Sequence, residues 1–137
     1  NKRLEAYIAE VYGLPFAKTH ISHSEEDALA MLENVRYPLV SKVSQSSGSM
    51  GVEIVRTPRR ARRVVKQAFS RNGRRVYVPW FRQKDYVYFQ EFIPNDGYDV
   101  RVILVDNRAF GYYRKVLKGD FRASFIFFLD GRNPSKI

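Results

Sequence analysis

The chain has 137 residues, with 24 Lys and Arg against 14 Asp and Glu, for a net charge of +10. That length suits about one domain. The absence of Cys excludes disulfides and thiolate metal sites, and no apolar run approaches the roughly 18 residues needed to span a bilayer. The basic excess is concentrated in "RTPRRARRVVK" and "SRNGRR", which suits an anionic partner such as a nucleotide, a nucleic acid or a membrane surface.

"NKRLEAYIAEVYG" carries Leu4, Ile8 and Val11 at helical spacing and stops at Gly13 and Pro15. "LPFAKTHI" reads as a short extended stretch. Ser24 is a good N-cap for "EEDALAMLENV", with acids in the first turn and Ala28, Leu29 and Leu32 facing inward. "YPLVSKVS" is strand-like, and "GVEIVRT" is a second strand. Thr57 caps a third helix with Pro58 at its first position. Its apolar stripe is Ala61, Val64, Val65, Ala68 and Phe69, and Arg59, Arg62, Arg63 and Lys66 fill the opposite face. Asn72-Gly73 ends it. The rest is β-rich: "RVYVPWF" and "YVYFQEFI" are aromatic, β-branched strands. "YDVRVILVD" and "AFGYYRKVL" read as a hairpin turning at Asn107-Arg108. "ASFIFFL" reads as a further strand whose apolar residues need cover from additional chain. The fold class is α+β with mostly antiparallel pairing, in two lobes that meet near Pro94-Asn95-Asp96-Gly97.

Between the second and third extended runs lies "SQSSGSMG", four serines and two glycines. Such a loop lets backbone approach a ligand closely: Gly supplies positive φ, and successive N–H groups form a nest for phosphate oxygens. Lys42 precedes it on the incoming strand, where a lysine places one positive charge beside a phosphate. The loop is neither a Walker P-loop nor a G-x-G-x-x-G. Taken alone, it is equally well a mobile hairpin connection.

"PLVSKVSQSSGSMGV", then "FQEFIP", then "GYDVRVILVDNRAF" and "YYRKVLKGDFR", with "NKRLEAYIAEVYGLPFAKT" upstream, resembles the ATP-grasp superfamily, in the flavour of glutathione synthetase and the ribosomal-protein glutamate ligases. The resemblance covers nearly the whole chain. It implies two α+β lobes with a nucleotide cleft between them: a lead-in helix over 1–13, a small lobe over 14–94 carrying the Ser/Gly flap, and the beginning of a second, incomplete lobe over 95–137. It further implies ATP and Mg²⁺, and a carboxylate–amine or carboxylate–thiol ligase working through an acyl phosphate. Lys2 and Lys42 match the family's phosphate-contacting lysines. Ser46, Ser47, Gly48, Ser49, Met50 and Gly51 match the flap that closes over the phosphates. Gln90, Glu91, Phe92 and Ile93 match the inter-lobe segment, where the backbone at Gln90 and Ile93 reads the adenine edge. Asp99 matches an acid associated with the ribose. Arg101 and Arg114 match basic residues near the terminal phosphate and the acceptor carboxylate, expected to act in catalysis.

These residue types suit phosphoryl transfer, which needs positioning and charge neutralisation, paired arginine donors for planar oxyanions and a flap that excludes water. Structural readings stand beside them: Lys2 as a solvated lysine, Asp99 and Arg101 as a pair on one strand face. The family's Mg²⁺ ligands, an acid followed by Glu-x-Asn, have no counterpart, since no Glu follows Glu91. They are expected downstream, in a longer chain of which this is a piece, and the piece alone is expected to be inactive. "FRASF" also departs from the family's ending. The second reading is a basic nucleic-acid-binding domain, resting on the Arg-rich helix and on Tyr77, Trp80, Tyr86 and Tyr88. A third is an inactive nucleotide-binding domain. Cytoplasmic placement, no membrane, and an acidic peptide or protein as substrate complete the expectations.

Overall fold

The structure, a computed structural model, describes residues 1–44, 51–76, 81–116 and Phe121. The chain divides into two compact units, Asn1–Ile93 and Pro94–Ile137.

The first unit is built on a four-stranded antiparallel sheet. Its strands are β1 (Thr19–Ser22), β2 (Leu39–Lys42), β3 (Val52–Val55) and β6 (Val87–Glu91), in the order β1-β6-β2-β3. Because side chains alternate along a strand, the sheet has two distinct faces. One carries Leu39, Val55, Val87 and Phe89, and the helices α2 (Glu25–Met31) and α3 (Pro58–Ala68) pack on it. Ala28, Leu32, Ala61, Val64, Val65 and Ala68 complete this core. Phe89 is fully buried there, a contribution of about 1.5–3 kcal/mol.

Both helices begin where the caps place them. The Ser24 and Thr57 side chains accept from Asp27 N–H and Arg60 N–H, each at 3.3 Å, and Pro58 opens α3. The second helix tightens into a 3₁₀ turn over Leu32–Asn34. Arg59, Arg62, Arg63 and Lys66 are exposed, as their spacing requires.

The lead-in helix α1 (Lys2–Val11) forms, but its burial departs from the aliphatic spacing. Ala6 and Ala9 are buried, whereas Leu4, Ile8 and Val11 are exposed. Ala6 packs with Tyr86, Tyr88 and Ile21. Those two phenol rings fill the space, so only a small side chain fits between helix and sheet.

After α3 the chain turns through Gly73 into a short ribbon, β4 (Arg74–Arg75) paired with β5 (Arg82–Gln83). Gly73 has φ +65°, and a Cβ there would lie 2.9 Å from the Gln83 carbonyl oxygen, so the ribbon closes only over glycine. The strand expected over "RVYVPWF" is seen only at its start, since 77–80 lie outside the described residues.

In the second unit, β7 (Tyr98–Val105) and β8 (Arg108–Lys115) pair from Tyr98↔Lys115 to Val105↔Arg108. The turn is therefore Asp106-Asn107, one residue earlier than the sequence suggested. Asp106 takes the left-handed backbone (φ 53°), which Asp tolerates better than most residues. The strand expected at "ASFIFFL" lies outside the described residues.

Candidate functional site

Lys2 and Lys42 converge where β2 runs out. Tyr86 Oη accepts from Ser44 N–H at 3.0 Å, and Ser44 C=O accepts from Lys2 N–H at 3.4 Å. The first turn of α1 is thus tied to the residues just after β2. From that turn Lys2 Nζ donates to Val43 C=O at 3.2 Å. Arg3 lies over the Tyr86 ring at 4.3 Å, a cation–π contact that fixes the same corner. Lys42, at the end of β2, projects from the face opposite Leu39 and Ser41 and donates to Gln90 Oε1. Gln90 is oriented in turn, because its Nε2 donates to Thr19 Oγ1 at 2.9 Å and to Ala17 C=O at 3.3 Å.

Burial pulls the Lys42 ammonium below the ordinary lysine range, the Lys2 charge pulls it further, and Glu5 offsets part of this. Lys2 is lowered as well, by burial first, with Glu5 opposing. Two partly desolvated cations side by side raise the local potential. An anion placed there would relieve both the burial cost and the mutual repulsion.

Gln90 and Glu91 were expected to matter through backbone, yet their side chains are engaged as well. Glu91 Oε1 lies 3.5 Å from both Lys18 Nζ and His20 Nε2. Its N–H donates to Lys18 C=O at 2.8 Å, and Phe92 N–H donates to Pro38 C=O at 3.2 Å. Ile93 is exposed. The segment Gln90–Ile93 is thus anchored to both neighbouring strands, and β6 carries it out of the sheet.

The other face of β2 holds a second charge system that the sequence reading missed. Arg74, counted there with the basic surface, is buried. Its guanidinium donates to Ser41 Oγ and Gln83 Oε1, each at 2.8 Å, and to Glu53 Oε2 at 2.5 Å. Arg60 Nε donates to the other Glu53 oxygen at 2.5 Å. Burial works against the Glu53 carboxylate, but the Arg60 hydrogen bond and both guanidinium charges outweigh it and hold the carboxyl below its ordinary range. The signal was present in "VEIV": Glu53 sits two residues before Val55 and shares its inward face. A carboxylate there demands a cation.

In the second unit, Asp99 stands opposite Arg114, and Arg114 grips both carboxylate oxygens, Nε to Oδ1 at 2.7 Å and Nη2 to Oδ2. The Arg114 guanidinium is held above its ordinary range, chiefly by that hydrogen bond. Asp99 therefore pairs across the hairpin and not with Arg101, which lies opposite Tyr112 and is exposed. Cross-strand neighbours are closer than residues two apart on one strand.

Ser46, Ser47, Gly48, Ser49 and Met50 lie outside the described residues. Gly51 enters β3 with φ +70°, a conformation that favours glycine. Among the described residues no three His, Asp or Glu side chains converge on a point that would hold a metal. Nor is any helix among them long and apolar enough to cross a membrane.

Comparison with known proteins adds two findings. A family model described as the RimK-like ATP-grasp domain matches residues 5–127. Among solved structures, the D-alanine–D-alanine ligase of Helicobacter pylori superposes with a TM-score of 0.52 at 20% identity, over 99% of the present chain and 40% of the ligase chain. The likeness is one of fold, and the present chain spans well under half of that neighbour. No curated protein sequence matches the chain.

Proposed function

The chain belongs to the RimK-like ATP-grasp domain family, and from that premise we propose that it forms the ATP-binding part of an ATP-dependent ligase joining a carboxylate to an amine or thiol. The observation that carries this reading is Lys42: a half-buried ammonium at the end of β2, held by Gln90, repelled by the nearby Lys2 and lowered in basicity. Such a group is set to receive an anion. The serine- and glycine-rich loop that follows supplies the backbone donors a polyphosphate needs.

In this assignment Lys2 and Lys42 hold phosphate oxygens and Ser46–Gly51 close over them. Gln90–Ile93 present backbone to the adenine edge, and Asp99 serves the ribose. Arg101 and Arg114 neutralise charge near the terminal phosphate and the acceptor. The chemistry is phosphoryl transfer to a carboxylate oxygen with ADP leaving. The amine or thiol then attacks the acyl carbon and phosphate departs. The chain's part is positioning and charge neutralisation. Desolvated lysines do this well because their charge is little screened. Magnesium, which the family chemistry implies, finds no ligand cluster among the described residues, and no step is assigned to it. An acidic peptide or protein, acted on in the cytoplasm, is the proposed acceptor.

The test is a thermal shift of the full chain with a non-hydrolysable ATP analogue, with and without Mg²⁺. The analogue is expected to raise the midpoint, and Lys42→Met is expected to abolish that rise. A full shift in Lys42→Met refutes the phosphate role. Oligonucleotide binding without any response to the analogue would favour the nucleic-acid reading.

A further inference from the structure

The outer face of α3 carries charge that the nucleotide site does not use. A shallow groove of about 420 Å³ runs along it, lined by Arg59, Arg62, Arg63, Lys66, Gln67 and Ser70. Every one of these side chains is a hydrogen-bond donor, none is a carboxylate and none is apolar. Glu33 takes up Arg62 at 2.8 Å. Arg59, Arg63 and Lys66 are exposed and make no ion pair or hydrogen bond among the described residues. The groove lies on the helix-covered side of the sheet, while Lys42 projects from the opposite side.

We propose that this groove is a docking surface for the phosphodiester backbone of a nucleic acid, read without sequence preference. Charge complementarity calls for a polyanion, and the lining decides which kind. A peptide groove normally takes an apolar or aromatic anchor into a pocket, and nothing here would receive one. A phosphate backbone needs only cations and a small donor such as the Gln67 amide. Three of the four cations are arginines, whose planar forks match phosphate oxygens in pairs. The geometry agrees: from Arg59 to Lys66 the helix rises about 10 Å, the axial span of about three phosphates on one strand at ~3.4 Å each. This surface stands whether or not the nucleotide assignment holds.

The experiment is fluorescence anisotropy of the full chain with a short labelled oligodeoxythymidylate across a salt series, alongside polyglutamate of similar charge. With about three phosphates neutralised, log K should fall with log salt with a slope of roughly −2. The triple variant Arg59→Ala/Arg63→Ala/Lys66→Ala should weaken binding about tenfold or more and flatten the slope, because each phosphate contact contributes independently. Its thermal midpoint should not move, since the three side chains support nothing in the fold. Undetectable oligonucleotide binding, undiminished binding by the triple variant, or polyglutamate binding as tight as the oligonucleotide each overturns the proposal.

Discussion

The two faces of strand β2 handle charge in opposite ways. On one, Arg74 is enclosed with Glu53, Ser41 and Gln83, and Arg60 closes the far side of the same carboxylate. On the other, Lys42 has only the neutral oxygen of Gln90 as its hydrogen-bond partner among the described residues, with Lys2 pressing on it. The first system is complete and holds β2, β3, α3 and the β4–β5 ribbon together. In the second, two half-buried lysines lie near one another, with Glu5 offsetting part of their effect. A single strand therefore separates a scaffold face from the proposed site face: the scaffold cation is buried and paired with a carboxylate, whereas Lys42 is half-buried and held by a neutral oxygen.

The largest effect should come from breaking the complete face. Arg74→Met leaves Ser41 and Gln83 without their donor and Glu53 half-paired, and should cost about 3 kcal/mol in urea unfolding. Because Arg74 and Glu53 are in contact, the double variant Arg74→Met/Glu53→Gln should cost less than the two single losses combined. A loss under about 1 kcal/mol would erase the contrast between the faces.

The site face should respond to pH. Lys42 is lowered in the unliganded protein, and bound phosphate favours its charged form, so binding is coupled to proton uptake at alkaline pH. Affinity for the ATP analogue should be greatest below the lowered Lys42 value. It should fall roughly ten- to a hundredfold as pH climbs through that value, since a hydrogen bond to a charged group contributes about 1.5–3 kcal/mol. The decline should begin below 10.5, the ordinary lysine value. Calorimetry in buffers of different ionisation heat reads the proton uptake directly, and its absence would dissolve the second half of the comparison.

The smallest effect belongs to the hairpin. Asp99 and Arg114 are paired but only partly buried, with side chains 37% and 18% exposed. Asp99→Asn should cost about 0.5 kcal/mol, as for surface ion pairs generally. A loss approaching that of Arg74→Met would mean that the pair is as enclosed as the β2 core.

Local rules carried the sequence reading a long way and then stopped at identifiable places. The cap at Thr57, Pro58 and the α3 stripe are written within a dozen residues, and the structure agrees with them. The α+β class and the family follow from motifs in order. What escaped was non-local. Nothing near Arg74 announces its burial, because its partners sit on β2, β3 and β5. Asp99 met Arg114 and not Arg101, since strand register brings together residues far apart in sequence. Leu4, Ile8 and Val11 have a core residue's spacing, but Tyr86, just before β6, and Tyr88 within it decide which side of α1 fits.

That last choice makes α1 a lever with a thin fulcrum. Beyond the polar contacts of its first turn, it packs on the sheet through the methyl group of Ala6, so a very small side chain sets how far the helix stands off. Lys2 sits one turn beyond, at the tip. Any added volume at Ala6 would swing that tip away from Val43, so the reach of the Lys2 ammonium is set by a residue that carries no charge at all.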